Sequence, residues 1–287
     1  MNIIPQSEIK RKRVKLVRGG LGYVIRGQHE HWHGVSLPKR SRGDISRFSA
    51  ASARRLRETL ALARYKGGAA SRWGFCFTIP GRILTPGEVR QLWHDWVVDF
   101  NRSFAAVAMI WRIELQQRKQ AHWHAVLFLP MNAVPQLLVV EISEAWRRLV
   151  RSRIGSLSRR TDAAFDLYGV NTRCLDGASA TGIIGYIADH TSKHKREQLG
   201  WIGRQWGVVN RSLLDFDGEL VAEFDDDVHK RAARQFRRLQ ERLRQDPDAR
   251  YTGGGVTPSG NVQRSIFGRD ADRLLRCYRN ESKKGVR

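Results

Sequence analysis

The sequence predicts an α+β fold, in which helices pack on the faces of a central antiparallel sheet and basic helical extensions lie at the periphery. Runs rich in β-forming residues alternate with segments of helical period, in the order strand, helix, strand, strand, helix, strand. The two central strands are separated only by a short polar segment, which is typical of an antiparallel hairpin. Both observations favour an antiparallel sheet over a parallel one.

The predicted elements follow one another along the middle of the chain. The helices are assigned from apolar residues that recur every three or four positions and would bury one side of each helix. In the strand RWGFCFTIP, Phe75 and Phe77 share one face because side chains alternate along a strand. The elements are a helix over 49–65, a strand over 72–80, a helix over 86–104, hairpin strands over 105–115 and 121–130, a helix over 134–153 and a strand over 164–175.

The second hairpin strand, AHWHAVLFLP, contains two histidines around a bulky apolar residue. Alternation would place His122 and His124 on one face and turn Trp123 into a core on the other. Glu114 ends the preceding strand, so hairpin pairing would bring it beside the two histidines. Two imidazoles and one carboxylate could hold a metal ion with positions left open for water or substrate. Two half-exposed histidines without a ligand are the alternative interpretation.

The same triplet occurs a second time, as His31-Trp32-His33. No apolar strand follows this copy, and Gly34 and Pro38 interrupt the pattern. We therefore interpret it as a loop with an incidental or nucleic-acid-binding role and place the metal site at the other triplet.

The chain carries more positive charge than an enzyme with a neutral substrate needs. Its 287 residues include 51 Lys and Arg against 28 Asp and Glu, which gives a net charge of +23. Such an excess indicates a polyanionic partner, with nucleic acid favoured over an anionic membrane. Arginine is the commoner cation, and its planar fork suits bidentate contacts with phosphate.

Cysteine usage and the N-terminal sequence bear on the compartment. Cys76, Cys174 and Cys277 are too scattered for a CxxC metal site, and they are expected to be reduced thiols of a cytoplasmic protein. No signal peptide or membrane span is recognised. The phosphate-binding motif G-x-x-x-x-G-K-[ST] is absent, so no nucleotide-driven motor domain is expected.

Composition divides the chain into four parts. We expect a basic, loosely docked arm over 1–44 and a folded domain over 45–215. A region with a basic helix follows over 216–250, and a flexible basic tail over 251–287.

The basic helix is predicted over 228–245, after a short edge strand over 219–224. Its apolar stripe lies opposite a face rich in arginine. We interpret Arg234, Arg237 and Arg238 as contacts to DNA phosphates, with an ordinary solvated face as the alternative.

A further helix is predicted over 179–195, where Tyr186, His190 and Lys193 fall on one face at spacings of four and three residues. A phenol becomes a nucleophile only with the help of a base or a cation, and such neighbours could supply it. A buried tyrosine beside a solvated basic flank is the alternative.

The segment LGWIGRQWGVV, at 199–209, combines glycines with Arg204 and Trp206. It could form a loop that holds phosphates and stacks on bases. An ordinary turn and strand with core tryptophans is the alternative.

The strand FCFTIP, the triplet His122-Trp123-His124, Glu114 and the downstream Tyr186 resemble the HUH endonuclease superfamily. Within it the chain is similar to rolling-circle replication initiators, especially those of filamentous bacteriophages. The resemblance covers about residues 45–215 and implies the HUH endonuclease-like form of the predicted fold. His190 stands where many relatives have a second tyrosine, and Asp189 where they often have a lysine.

The resemblance implies a metal-dependent enzyme that nicks and joins single-stranded DNA at a replication origin. Mg²⁺ or Mn²⁺ on Glu114, His122 and His124 would polarise the scissile phosphate, and Tyr186 would form a 5′-phosphotyrosine link and release a 3′-hydroxyl. Lys193 would assist, and a host helicase and polymerase in a bacterial cytoplasm would be partners. A transposase of the same superfamily, a nuclease using activated water and a non-catalytic nucleic-acid-binding protein are the alternatives.

Overall fold

The computed structural model describes residues 13–20, 23–27, 48–81, 83–115, 120–176, 187, 204–245, 264–266 and 268–284. Their elements, in chain order, are β1 (Arg13–Arg18), β2 (Tyr23–Gly27), α1 (Ala50–Leu62), β3 (Arg64–Tyr65), β4 (Ala70–Thr78), α2 (Pro86–Ser103), β5 (Ala108–Leu115), β6 (Ala121–Pro130), α3 (Pro135–Ile154), α4 (Arg159–Tyr168), β7 (Val170–Cys174), β8 (Trp206–Val209), β9 (Leu214–Asp215), β10 (Glu219–Asp225), α5 (Asp226–Gln245), β11 (Arg264–Ile266) and α6 (Gly268–Lys284).

The chain divides into two compact units. The larger unit consists of Arg40–Leu56 and Arg64–Asp215, and the smaller of Met1–Lys39, Arg57–Ala63 and Phe216–Arg287. The larger unit is built on a five-stranded sheet in the order β7-β4-β6-β5-β8, in which every neighbouring pair is antiparallel. The predicted α+β class, with its antiparallel sheet and its hairpin of β5 and β6, is therefore confirmed.

One face of this sheet forms the main hydrophobic core with α2, α3 and α4. Helix α2 begins where expected because Pro86 fits the first helical position and Thr85 caps it. Thr85 and Glu88 form a reciprocal capping box. The core centres on Trp123 of β6, which is fully buried and stacks on Trp93 of α2 with ring centroids 4.8 Å apart. The prediction that Trp123 faces a core is confirmed.

Two element predictions were only partly right. Residues 164–175 were expected to be one strand, but the chain first forms α4 and only then β7. The Ser158 side chain caps α4 by accepting from the backbone N–H of Thr161, and Phe165 anchors the helix in the core. The helix expected over 49–65 ends at Leu62, and the next residues pair with β9 as β3 instead.

The smaller unit has a four-stranded antiparallel sheet in the order β10-β1-β2-β11. Its core joins β1 and β2 to α5 and α6 through apolar side chains. A buried polar network also links the two helices, because His229 hydrogen-bonds the Tyr278 hydroxyl and Glu281 accepts from Arg231 and Gln235. The predicted edge strand at 219–224 is found as β10, and the predicted basic helix as α5.

Expectations for the two ends of the chain were also wrong. The segment 1–44, expected to be a loosely docked arm, contains β1 and β2. The tail over 251–287, expected to be flexible, contains α6, which buries Leu274, Cys277 and Tyr278. In both cases the segment is ordered by a partner that is distant in the sequence. Strand β1 pairs with β10, and the apolar side chains of α6 pack with those of α5, which a local pattern does not reveal.

Among the described residues, no helix is long and apolar enough to cross a membrane.

Candidate metal centre

The register of the β5–β6 hairpin brings three predicted ligands together. Glu114 pairs directly with His122, and Arg112 pairs with His124. Because directly opposed residues share a face of the sheet, these four side chains lie on one side, opposite Trp123. Every residue of β6 is buried, so both faces of this strand are covered.

The donor atoms converge closely. Oε1 of Glu114 lies 2.5 Å from Nε2 of His122 and 2.8 Å from Nε2 of His124. The two Nε2 atoms are 2.9 Å apart, and the imidazole planes are nearly perpendicular at 88°. On an ion with bonds of roughly 2.1 Å, two ligands at right angles would be about 3 Å apart. A small opening of this cluster would therefore admit a metal ion.

The electrostatics of the cluster favour an ionised carboxylate. Burial by itself would raise the pKa of Glu114. Hydrogen bonds and positive charge from His122 and His124 outweigh burial, and they hold the pKa well below its ordinary value of 4.5. An ionised carboxylate between two imidazoles is a form in which these three side chains can bind a cation.

Cys76 is a fourth potential donor that the sequence reasoning missed. It lies on β4 directly opposite His124, and its sulfur and the ligand nitrogens of His122 and His124 all lie within 4.8 Å of one another. The signal was present, because Phe75 and Phe77 facing the core require Cys76 to face the other side. Burial raises the pKa of the Cys76 thiol to about 11, and the nearby Glu114 charge acts in the same direction against a hydrogen bond with Thr78.

Arg112 is a second residue of the cluster that had not been singled out. It is buried, and its Nη2 lies 3.8 Å from Oε2 of Glu114. Its Nη1 donates a hydrogen bond of 2.8 Å to the backbone carbonyl of Ile187, and its guanidinium lies 4.5 Å from the centre of the Phe48 ring. Arg112 thus contacts both the Glu114 carboxylate and the backbone carbonyl of Ile187.

The predicted nucleophile and its neighbours lie outside the described residues. These residues are Tyr186, His190 and Lys193. Of the helix predicted over 179–195, only Ile187 is described, and it is helical. The second triplet, His31-Trp32-His33, also lies outside them. The structure therefore leaves these predictions as they were.

Three other tyrosines can be compared with Tyr186. Tyr168 is exposed on α4, a helix that packs on the face of the sheet opposite the metal cluster. The Tyr65 hydroxyl donates to the carbonyl of Ala106. Tyr278 is fully buried in the smaller unit, where burial raises its pKa. Tyr168 therefore lies on the side of the sheet away from the cluster.

The predicted DNA-binding residues fall in both units. Trp206 begins β8 and pairs with Arg112, so its register position lies on the same face as the cluster. Arg204 is exposed just before this strand. Arg234 and Arg238 are exposed on α5, whereas the side chain of Arg237 lies outside the described part of the chain.

The grouping of His122, His124 and Cys76, with Glu114 beside the two histidines, could hold a metal ion. A carboxylate and two imidazoles suit Mn²⁺ better than Mg²⁺, which prefers oxygen ligands, and a thiol would shift the preference further towards Zn²⁺.

Comparisons with protein-family models, with curated proteins and with solved structures each gave no match to this chain. The geometry of the cluster is therefore the basis on which a function can be argued.

Proposed function

We propose that this protein is a metal-dependent endonuclease of the HUH type, which nicks and joins single-stranded DNA and initiates rolling-circle replication. The observation that carries the proposal is the convergence of Glu114, His122 and His124 on one face of the β5–β6 hairpin. Two histidines separated by one residue, with a carboxylate paired opposite, support the proposal because the resemblance implies such a ligand set.

Glu114, His122 and His124 would hold a divalent ion, with Mn²⁺ or Mg²⁺ as the expected metals and Cys76 as an adjacent donor. When bound, the ion would supply positive charge to polarise a phosphate and to fix its orientation. Arg112 contributes by positioning, since it is anchored at Ile187 and directs a cation towards Glu114.

Tyr186 is the proposed nucleophile. It precedes Ile187 in the chain, and the carbonyl of Ile187 accepts a hydrogen bond from Arg112, which lies next to Glu114. Consecutive Cα atoms are about 3.8 Å apart, so the contact of Ile187 with Arg112 supports the choice of its chain neighbour Tyr186 as the nucleophile. The position of Tyr168 on the opposite side further favours Tyr186.

In the proposed step, the phenol oxygen of Tyr186 forms a bond to phosphorus while the bond from phosphorus to the 3′-oxygen breaks. The phenol gives up its proton, and the departing 3′-oxygen gains one, so that protons and charge balance. His190 and Lys193, placed on the same predicted helical face, are the proposed groups for this proton movement. One phosphodiester replaces another, so the reverse step rejoins strands without an external energy source.

The charge of the chain provides the affinity for DNA in this proposal. A net charge of +23 favours contacts with phosphates, which position a strand without reading its sequence. Arg204 and Trp206 precede and begin the edge strand β8, and Arg234, Arg237 and Arg238 belong to α5. A replication origin as the substrate, with a host helicase and polymerase as partners, completes the proposal.

The proposal is tested by incubating the full chain with Mn²⁺ and fragments of single-stranded DNA. The fragments are prepared by random cutting of a circular molecule, and separate samples are labelled at the 3′ end and at the 5′ end. On a denaturing gel, 3′-labelled DNA should remain attached to protein, and 5′-labelled fragments should be released with ends that a polymerase extends. Tyr186→Phe should abolish the attachment and keep DNA binding, whereas the matched control Tyr168→Phe should behave as wild type. Attached label in the Tyr186→Phe variant, or cleavage that leaves no attached label, would contradict the proposal.

A further inference from the structure

A cavity of about 390 Å³ lies on the face of the five-stranded sheet opposite the metal cluster. It is bounded by α2 on one side and by β8, the edge strand, on the other. Its floor is formed by residues of β5 and β6, including Ile113 and Trp123. The volume falls within the range of small-molecule sites in proteins.

Three indoles form a continuous aromatic wall in this cavity. Trp93 stacks on Trp123 with ring planes 8° apart, and it meets Trp111 edge-on with centroids 4.9 Å apart. Trp111 and Trp93 are largely buried, with 6% and 7% of their surface exposed, and both contribute to the lining of the cavity. Flat aromatic rings are the natural occupants of such a wall, because offset and edge-on contacts between rings are favourable.

The rim of the cavity is cationic and polar. Arg90, His94 and Asn101 of α2 lie on one side and Arg204 on the other, and all four are exposed. Among the described residues that line the cavity, none carries a carboxylate. An anionic group at the mouth would therefore meet positive charge from both sides.

The edge strand leaves room over the aromatic wall because position 207 is glycine. A Cβ added at Gly207 would lie 3.1 Å from the indole of Trp111, which is closer than ordinary packing allows. A larger residue at this position would press on the wall, so the glycine is consistent with an open cavity.

We propose that this cavity binds a nucleotide, with the base against Trp93 and Trp111 and the phosphate at Arg204 and Arg90. The occupant could be a free nucleotide or one nucleotide of a single strand, since both have the same chemistry. The proposal goes beyond strand cleavage at the metal cluster, and it rests on the proposed function only in expecting nucleic-acid chemistry. Its floor residues Ile113 and Trp123 adjoin Glu114, His122 and His124, so an occupant would contact the back of the strands that hold the ligands.

The test uses the full chain in EDTA, so that it does not depend on the metal cluster. The probe is 5-bromodeoxyuridine monophosphate, titrated by calorimetry and then crosslinked by light. Mass spectrometry should find the crosslink in the tryptic peptides 91–102 and 103–112, which contain Trp93 and Trp111. No measurable binding, or a crosslink confined to other peptides, would overturn the proposal.

Two variants add a quantitative check. Arg204→Gln should weaken binding about tenfold, because one charge-assisted contact is lost. The matched control Arg160→Gln removes an exposed charge on α4, outside the cavity, and should change affinity less than about twofold. Because both side chains are exposed, both variants should fold, and circular dichroism checks this. Equal weakening by the two substitutions would overturn the site.

A third variant fills the space instead of removing charge. Val97 lines the cavity from α2 and is half-buried, so Val97→Trp should occupy part of the volume and abolish the crosslink. An unchanged crosslink in this variant would contradict the proposal.

Competition identifies the source of the nucleotide. If a single-stranded thymidylate hexamer blocks the crosslink at a lower concentration than thymidine monophosphate does, the site holds one nucleotide of a strand. If the two competitors block it at the same concentration, the site binds a free nucleotide. Competition by inorganic phosphate alone at the same concentration as the nucleotide would overturn a role for the base. Since EDTA removes the metal throughout, a failure of strand cleavage would leave these results unaffected.

Discussion

The two faces of the five-stranded sheet differ in what their side chains do, although the same strands supply both. In β6, Trp123 belongs to the apolar core with the helices, whereas His122 and His124 meet Glu114 and Cys76 on the opposite face. Because side chains alternate along a strand, three consecutive residues serve two purposes: Trp123 packs in the core, and His122 and His124 belong to the candidate metal site. Substitutions on one face should mainly change the free energy of unfolding, and those on the other should mainly change metal binding.

The largest effect on stability is expected from Trp123→Ala. The side chain is fully buried and contacts Trp93 and Trp146, so its removal should cost about 3–5 kcal/mol and lower the Tm by roughly 10 °C. Thermal unfolding followed by circular dichroism measures this. A change in Tm no larger than that of His122→Ala would contradict the division between the faces.

The corresponding substitutions on the other face are His122→Ala and His124→Ala. Each removes one of the converging ligands and should weaken Mn²⁺ binding more than about a hundredfold, at a stability cost of about 1–2 kcal/mol. Titration with Mn²⁺ measures the affinity. His31→Ala and His33→Ala are the matched controls and should bind Mn²⁺ as wild type does; a loss of binding in these controls would move the site to the other triplet.

Glu114→Gln is a smaller change, because it keeps the shape of the side chain and removes only the charge. Metal affinity should fall about tenfold to a hundredfold while the fold survives, since both histidines remain. The same Mn²⁺ titration applies. Unchanged affinity would exclude Glu114 as a ligand, and Gln116 or Gln117 would then be the next residues to test.

The smallest expected effect concerns the reactivity of Cys76. With a pKa raised to about 11 by burial, its thiol should be almost fully protonated at pH 8, with a thiolate fraction of about one in a thousand. In metal-free protein, iodoacetamide should alkylate Cys76 much more slowly than the exposed Cys174, and more slowly still with Zn²⁺ present. Peptide mass spectrometry over time measures both rates. Equal alkylation of the two cysteines would show that Cys76 does not lie in a buried cluster.

The hairpin and the convergence of Glu114, His122 and His124 on one face could be predicted because they depend on local rules. Alternation decides which residues share a face, and a short loop decides that β5 and β6 pair. The same alternation could have identified Cys76, but only with the pairing of β4 and β6, which joins segments that are distant in the sequence. Prediction therefore succeeded where neighbours in space are close in the chain.

Two of the remaining errors also arise from partners that are distant in the sequence, and a third arises from a local boundary. Strand β1 pairs with β10, about 200 residues later, so nothing near residues 13–18 in the sequence indicates its partner. The apolar side of α6, with Leu274 and Tyr278, is hidden in a segment whose composition is basic and polar. In residues 164–175 the chain changes from helix to strand at Gly169, a boundary that a single apolar pattern does not mark.

The most direct measurement of the central claim is to identify the residue that becomes joined to DNA. After reaction with single-stranded DNA and Mn²⁺, nuclease and trypsin digestion should leave the peptide 174–193, which contains Tyr186 as its only tyrosine. Mass spectrometry should find this peptide carrying a nucleotide on Tyr186 in the wild type and not in His122→Ala. A nucleotide on any other residue, or no modified peptide with Mn²⁺, Mg²⁺ or Zn²⁺, would contradict the account.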